Sequence, residues 1–225
     1  MPRLHSDLRT STSLSRGAAV FAVLFISFHL HCDGQSTLKE KPVTLAVSEP
    51  QSSQEQLPSI AKDTLKKHFG LIASNLSLTE FAKTFAVPPQ FNRRAGLFVT
   101  LSKDGKTRAC WGSLDARFDN LVQATVFTTE QALTDEYRFN KIKTAEIDTL
   151  HPQITVVKKV EPLHDIREQN PARCGLLVRS GGKSGIILAG EASDPYYQLV
   201  QCKLKAGIKK NEAFQMYRIK ADVYR

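Results

Sequence analysis

The chain has 225 residues, of which 41% are hydrophobic and 24% are charged, so its length and composition fit one globular domain with an additional segment. Its 12 glycines and 10 prolines are scattered without a repeat, which excludes solenoid and fibrous architectures. The formal net charge is +9, but lysine and arginine are spread along the chain rather than clustered among aromatic residues, so the charge favours solubility over nucleic-acid binding.

Residues 1–34 predict a signal peptide or a membrane anchor. Three arginines precede an apolar run of 13 residues at positions 18–30 (AAVFAVLFISFHL), which is typical of a signal peptide because a membrane span needs about 20 residues. Cys32 closes the run where a lipidated cysteine would stand, whereas cleavage near Gly34 and an uncleaved anchor are the alternatives. We therefore expect an exported protein attached to the membrane by this segment, with a soluble periplasmic or secreted product as the alternative.

Residues 35–56 predict a flexible linker, because they are polar and lack helical periodicity. The folded domain is expected at residues 57–225. None of its cysteines stands at a Cys/His spacing typical of zinc ligands, so the sequence predicts no metal site.

The first half of the domain predicts two helices and a hairpin. Apolar periodicity favours one helix from Leu57 to its end at Gly70, and a second helix over residues 79–85. Two β-rich runs, 97–101 and 107–114, lie on either side of an Asp-Gly pair that is typical of a hairpin turn.

The second half predicts further helices and strands. An amphipathic pattern covers residues 118–133, and another helix starts at Asp194-Pro195 and stops at Gly207. β-branched or alternating segments predict strands at 153–160, 175–179, 185–188 and 217–223. Hairpins with segregated helices indicate an α+β fold with a largely antiparallel sheet.

Cys110 is the candidate nucleophile of the domain. Arg108 lies two residues away on the same predicted strand, and a nearby cation lowers the pKa of a thiol and favours the reactive thiolate. The base would be His151 or His164. The alternative is that Cys110 is a small buried residue without chemistry.

Two polar clusters in the sequence each allow a structural and a functional interpretation. Asp135, Glu136 and Arg138 stand at the end of a predicted helix, where they would bind an anion, shape a turn or pair at the surface. Residues 181–184 (GGKS) contain part of a phosphate-binding loop, but Leu177 stands where that motif requires glycine, so a tight hairpin is expected instead.

The predicted hairpin carries a family resemblance. GLFVTL at 96–101 and RACWGSL at 108–114 resemble the G-x-F-V-T-L and R-G-C-I-G-S-L signature of the AMMECR family, which includes protein A of the AmmeMemoRadiSam system. Ala109 and Trp111 depart from the signature. Further blocks follow in the family's order and spacing: RF at 138–139, EIDTL at 146–150, GLLVR at 175–179, SGIIL at 184–188, KAG at 205–207 and YRIKA at 217–221.

The resemblance implies a two-part α+β fold with a groove between the parts, beside the Arg-x-Cys-x-Gly strand. For cytosolic members it implies a partner of the Memo type or the radical S-adenosylmethionine type, and it identifies no reaction and no cofactor. We expect a ligand- or partner-binding domain held near the membrane; the alternative is a thiol-dependent enzyme that uses Cys110 with Arg108. The candidate binding residues in the matching blocks are Gly112, Ser113, Arg138, Phe139, Ser184 and Gly185.

Overall fold

A computed structural model describes residues 52–225 of the chain. The predicted signal or anchor segment and residues 35–51 of the predicted linker lie outside these residues. Among the helices that are described, none is both long enough and apolar enough to cross a membrane.

Six antiparallel strands form one sheet in the order β2-β1-β3-β6-β4-β5. The strands are β1 (Leu97–Lys103), β2 (Lys106–Ser113), β3 (His151–Leu163), β4 (Gly175–Ser180), β5 (Lys183–Ile187) and β6 (Gln215–Tyr224). The long strands β3 and β6 pair in the middle, and the hairpins β1–β2 and β4–β5 extend the sheet on either side. This arrangement confirms the predicted α+β fold in two parts, and the predicted strands all appear.

The sheet is curled, so that its two edge strands approach each other. Residues of both β2 and β5 line one cavity. The pairing shifts register between Leu101 and Ser102 in β1 and between Val157 and Lys159 in β3. Such bulges increase the local twist of a sheet, which helps it to curl.

Between residues 52 and 225, four α-helices pack with the sheet: α1 (Ser53–His68), α2 (Leu78–Lys83), α3 (Leu121–Thr134) and α4 (Pro195–Ala206). The first three pack over the β1–β3 part, and α4 packs over β4 and β5. Helix α1 begins at Ser53 rather than at Leu57, so residues 53–56 of the predicted linker are helical. Their polar side chains lack apolar periodicity, which is why the sequence pattern placed the start later.

Helix α4 approaches β5 very closely because position 185 is glycine. A Cβ atom on Gly185 would lie 2.1 Å from the carbonyl oxygen of Cys202, which is inside the contact distance of any real side chain. Cys202 is fully buried between the helix and the sheet, and this burial raises the pKa of its thiol to about 12. Cys202 is therefore a packing residue.

We expect Gly185→Ala to lower the free energy of unfolding by about 1–3 kcal/mol, because the added methyl group must push α4 away from β5. Gly182→Ala is the matched control, since no atom lies within 4 Å of the position its Cβ would take. Urea unfolding followed by circular dichroism measures both changes. Equal midpoints for the two variants would show that Gly185 has no such packing role.

Candidate functional site

A groove lies between the edge strand β2 and the β5–α4 part of the domain. It consists of two adjoining cavities of about 430 Å³ and about 340 Å³. Both cavities are lined by Cys110, Arg138, Glu191 and Lys205, and we call the two together the groove. Its position beside Cys110 is the one that the family resemblance implied.

The segment after α3 supplies hydrogen-bond partners to the free edge of β2. The backbone N–H of Cys110 donates to Glu136 Oε2 at 3.2 Å, and the guanidinium of Arg138 donates to the carbonyl oxygen of Cys110 at 2.7 Å. Outward-facing backbone groups of an edge strand otherwise need water or another chain as partner. The Glu136–Arg138 pair thus takes the place of a neighbouring strand at Cys110.

The negative charge of the buried Glu136 side chain is compensated by Arg138 and by backbone N–H groups. Glu136 is only 3% exposed, and burial by itself would raise its pKa. The hydrogen bonds from the Arg138 side chain, the Arg138 backbone N–H and the Cys110 backbone N–H outweigh burial and hold the pKa of Glu136 below its ordinary value. Glu136 is therefore an ionised carboxylate at neutral pH, and it fixes the orientation of Arg138. Of the readings of this cluster, the structure shows a paired, partly buried turn.

Arg108 was predicted to lie beside the Cys110 thiol, but its side chain binds Glu146 instead. Its guanidinium donates to both carboxylate oxygens of Glu146, at 2.9 and 3.1 Å, and these bonds lower the pKa of Glu146 to about 2. Glu146 belongs to the 3₁₀ turn Thr144–Thr149, which Arg108 thereby ties to β2. The cation that contacts Cys110 is Arg138, so Arg108 lies outside the groove lining.

The surroundings of Cys110 favour the neutral thiol. Burial raises the pKa of the thiol, and the negative charge of Glu191 raises it further. The Thr100 hydroxyl donates to its sulfur at 3.4 Å. Among the residues described, no histidine lines the groove: His151 pairs with Ser102 in the sheet, and His164 lines a separate cavity. The predicted base is therefore not brought next to Cys110.

Five of the six predicted binding residues line the groove: Gly112, Arg138, Phe139, Ser184 and Gly185. The exception is Ser113, whose hydroxyl oxygen accepts from the backbone N–H of Asp115 at 3.0 Å in the turn after β2.

Packing explains why position 112 is glycine. A Cβ atom there would lie 2.4 Å from a ring carbon of Phe98, whose side chain is almost fully buried. Gly112 and Gly185 therefore line the groove as backbone that allows close packing.

Sequence reasoning missed the polar residues that α4 and the segment before it contribute. Lys205 donates to the carbonyl oxygen of Ile186 at 3.1 Å and lies 3.9 Å from Glu191. Tyr197 and Gln201 line the larger cavity from the same helix. Tyr197, Gln201 and Lys205 are spaced four residues apart, so they lie on one face of α4. This spacing is the sequence pattern from which a shared polar face could have been predicted.

The lining of the larger cavity carries more positive than negative side chains. Arg138, Lys205 and Arg225 contribute cationic groups, and Glu191 contributes the one carboxylate among the lining side chains. Hydroxyl and amide groups complete the polar lining: Thr100, Ser102, Thr107, Tyr197, Gln153 and Gln201. With Glu136, which pairs with Arg138, included in the balance, one positive charge remains, so the larger cavity can accommodate an anion that also offers hydrogen-bonding groups.

Comparisons with known proteins agree with this architecture. A family profile described as AMMECR1 matches residues 59–225. A Thermotoga maritima protein is 34% identical over 145 residues, which cover 62% of this chain and 83% of that protein. A Methanothermobacter thermautotrophicus protein is 28% identical over 158 residues, which cover 61% and 79% of the two chains.

The fold also has a relative among crystal structures. An uncharacterised protein from Pyrococcus horikoshii superimposes with a TM-score of 0.62 at 22% sequence identity, covering 76% of this chain and 89% of that one. At this identity the likeness shows the fold, which is the mixed α+β arrangement predicted from the sequence.

We expect Cys110 to react with iodoacetamide more slowly than a small-molecule thiol at pH 7, because its raised pKa leaves little thiolate. The rate should increase as the solution is made more alkaline, because only the thiolate reacts and a thiol with a raised pKa ionises later than a free one. Site-resolved labelling followed by peptide mass spectrometry measures it, with the denatured chain as the fully reactive control. Faster reaction than the model thiol at neutral pH would contradict this expectation and support the enzyme alternative.

Proposed function

Because this chain belongs to the AMMECR1 family, we propose that its domain is a binding module whose groove holds a small ligand with a carboxylate or phosphate group. The observation that carries the proposal is the convergence of Arg138 and Lys205 on the same two cavities. Both side chains are hydrogen-bond donors without acceptor capacity, so an anionic group is their natural partner.

The position of Arg138 supports a preformed site. Its guanidinium is held by Glu136 on one side and by the Cys110 carbonyl on the other, so a ligand does not have to order it. Side chains that are already fixed reduce the entropy cost of binding. Arg138 lines both cavities and its side chain is about one-third exposed, so part of it remains accessible to a ligand.

A thiol-dependent enzyme is the second candidate, and the observation that favours it is the position of Cys110 in the wall of both cavities. The burial that raises the thiol pKa and the absence of a histidine from the described groove lining favour binding over nucleophilic catalysis. Arg138 takes over the role that the sequence assigned to Arg108 in this alternative.

The proposed place of action is the outer side of the membrane, near its surface. The support is the sequence of residues 1–34, with its basic head and apolar run. A protein partner of the Memo type or the radical S-adenosylmethionine type is a proposal for the case in which the chain remains in the cytosol.

The binding proposal is tested by fluorescence, because Trp111 is the single tryptophan of the chain and lines the smaller cavity. Titration with inorganic phosphate and with citrate should change its emission and saturate for at least one of them. Lys205→Gln should weaken this binding at least about tenfold, since a hydrogen bond to a charged group contributes about 1.5–3 kcal/mol and each 1.4 kcal/mol is a factor of about ten.

Lys62→Gln is the matched control, because Lys62 is an exposed lysine on α1 outside the groove. Its affinity for the anion should equal that of the unchanged chain. Equal weakening by both substitutions would mean that the anion responds to overall charge rather than to the groove.

Export has its own test. Residues 1–35 fused to a reporter that is active only outside the cytoplasm should give activity, because a basic head and a short apolar run direct translocation. The same fusion with aspartate replacing both Leu24 and Phe25, in the middle of the apolar run, is the control and should be silent. A silent unchanged fusion would refute export without affecting the binding proposal.

A further inference from the structure

Helix α4 carries an exposed apolar stripe that no described residue covers. The stripe consists of large side chains that are between 51% and 67% exposed: Tyr196, Tyr197, Val200 and Leu204. At about 100° per residue these four positions fall within about a quarter to a third of the helix circumference. The opposite side holds Gln198 and Cys202, which are fully buried against the sheet.

Lysines border the stripe. Lys203 lies one turn after Val200 on the helical surface, and its ammonium is 4.4 Å from the Phe214 ring centroid and 3.5 Å from the backbone oxygen of Lys210. These contacts hold the loop after α4 beside the stripe. Lys209 and Lys210 in that loop are exposed.

Two of the carboxylates near the stripe are paired with lysines. Glu212 is paired with Lys183 at 2.9 Å, and this pairing together with the Ser180 hydroxyl lowers its pKa to about 2; Glu191 lies 3.9 Å from Lys205. Asp194, the N-cap of α4, accepts the backbone N–H of Tyr197 at 2.8 Å and keeps its negative charge. Against that carboxylate, the apolar and aromatic stripe is bordered by Lys203, Lys209 and Lys210.

We propose that this stripe docks on the surface of an anionic lipid bilayer. Val200 and Leu204 would enter the boundary between headgroups and acyl chains, and the tyrosine rings would lie at headgroup level, where amphipathic aromatic side chains are favoured. The bordering lysines meet the negative surface charge.

Size and charge favour a lipid surface over a protein. A stable protein interface buries about 800 Å² on each partner, and four side chains on one face of a three-turn helix offer much less. A membrane needs no matching shape, because lipid accommodates any convex apolar stripe. The occupant that fits is therefore a bilayer rich in anionic lipid.

Docking would also orient the groove. Tyr197 belongs both to the stripe and to the lining of the larger cavity, and Gln201 and Lys205 continue from it into that cavity. The mouth of the groove on this side would then face the headgroup layer. This inference does not depend on the proposed anionic ligand, since it rests on the exposed flank of α4 rather than on the cations of the groove.

The test places a fluorescent reporter in the stripe of the full chain. Leu204→Trp is compared with Leu71→Trp, a residue that is 52% exposed after α1 and far from α4 in sequence. Vesicles of phosphatidylglycerol and phosphatidylcholine in equal parts, with acyl chains brominated near the headgroup, quench a tryptophan that enters the membrane to shallow depth. The emission of Trp111 in the unchanged chain is subtracted.

We expect the Leu204→Trp chain to shift its emission to shorter wavelength and to be quenched, while the Leu71→Trp chain is not. Both chains carry the same N-terminal segment, so membrane attachment through that segment cannot produce the difference. Lys209→Glu with Lys210→Glu should weaken the response of Leu204→Trp at least tenfold, because each lysine contributes roughly fivefold near an anionic surface. Circular dichroism confirms that the variants are folded.

Three outcomes would overturn the proposal. One is a Leu204→Trp chain that sediments with the vesicles but is not quenched. Another is an equal response to vesicles of phosphatidylcholine alone, which would show that the bordering lysines do not select an anionic surface. The third is a blue shift without vesicles that grows with protein concentration, which would assign the stripe to contacts between copies of the chain.

Discussion

The ion pair between the buried Glu136 and the partly exposed Arg138 is the interaction on which the groove depends. It satisfies the backbone of Cys110 at the free edge of β2, and it places a cation where the two cavities meet. Removing Arg138 would leave the buried carboxylate of Glu136 uncompensated, and removing Glu136 would leave the backbone N–H of Cys110 without its acceptor. The same contacts therefore close the sheet edge and shape the lining of the groove.

The contacts of Arg108, Cys110 and Gly112 show what residues of the family signature do in this fold. Its arginine secures a 3₁₀ turn through Glu146, its cysteine presents the backbone that the ion pair binds, and its glycine admits the Phe98 ring. The arginine and the glycine thus have hydrogen-bonding and packing reasons, whereas the contacts of Cys110 with the ion pair use its backbone and do not require a cysteine. Trp111 adds bulk to the smaller cavity, where this chain departs from the signature.

The sequence predicted the strands and helices well because their signals are local. The Asp-Gly turn, the Asp194-Pro195 start of α4 and the alternation in β6 all follow from neighbouring residues. The site was predicted less well. Which arginine contacts Cys110 is decided by the path of the segment after α3, which brings Arg138 to the Cys110 carbonyl while Arg108 binds Glu146. Lys205 reaches the groove only because the sheet is curled. Such contacts join residues far apart in the chain.

The position of β6 has a consequence for biosynthesis. This strand pairs with β3 on one side and β4 on the other, so it joins the two halves of the sheet, yet it follows all the other strands in the chain. Chains are made from the N-terminus, and the halves cannot unite until the last strand has left the ribosome. The complete sheet therefore cannot form until β6 has been synthesised, which leaves the two halves of the sheet unjoined up to that point.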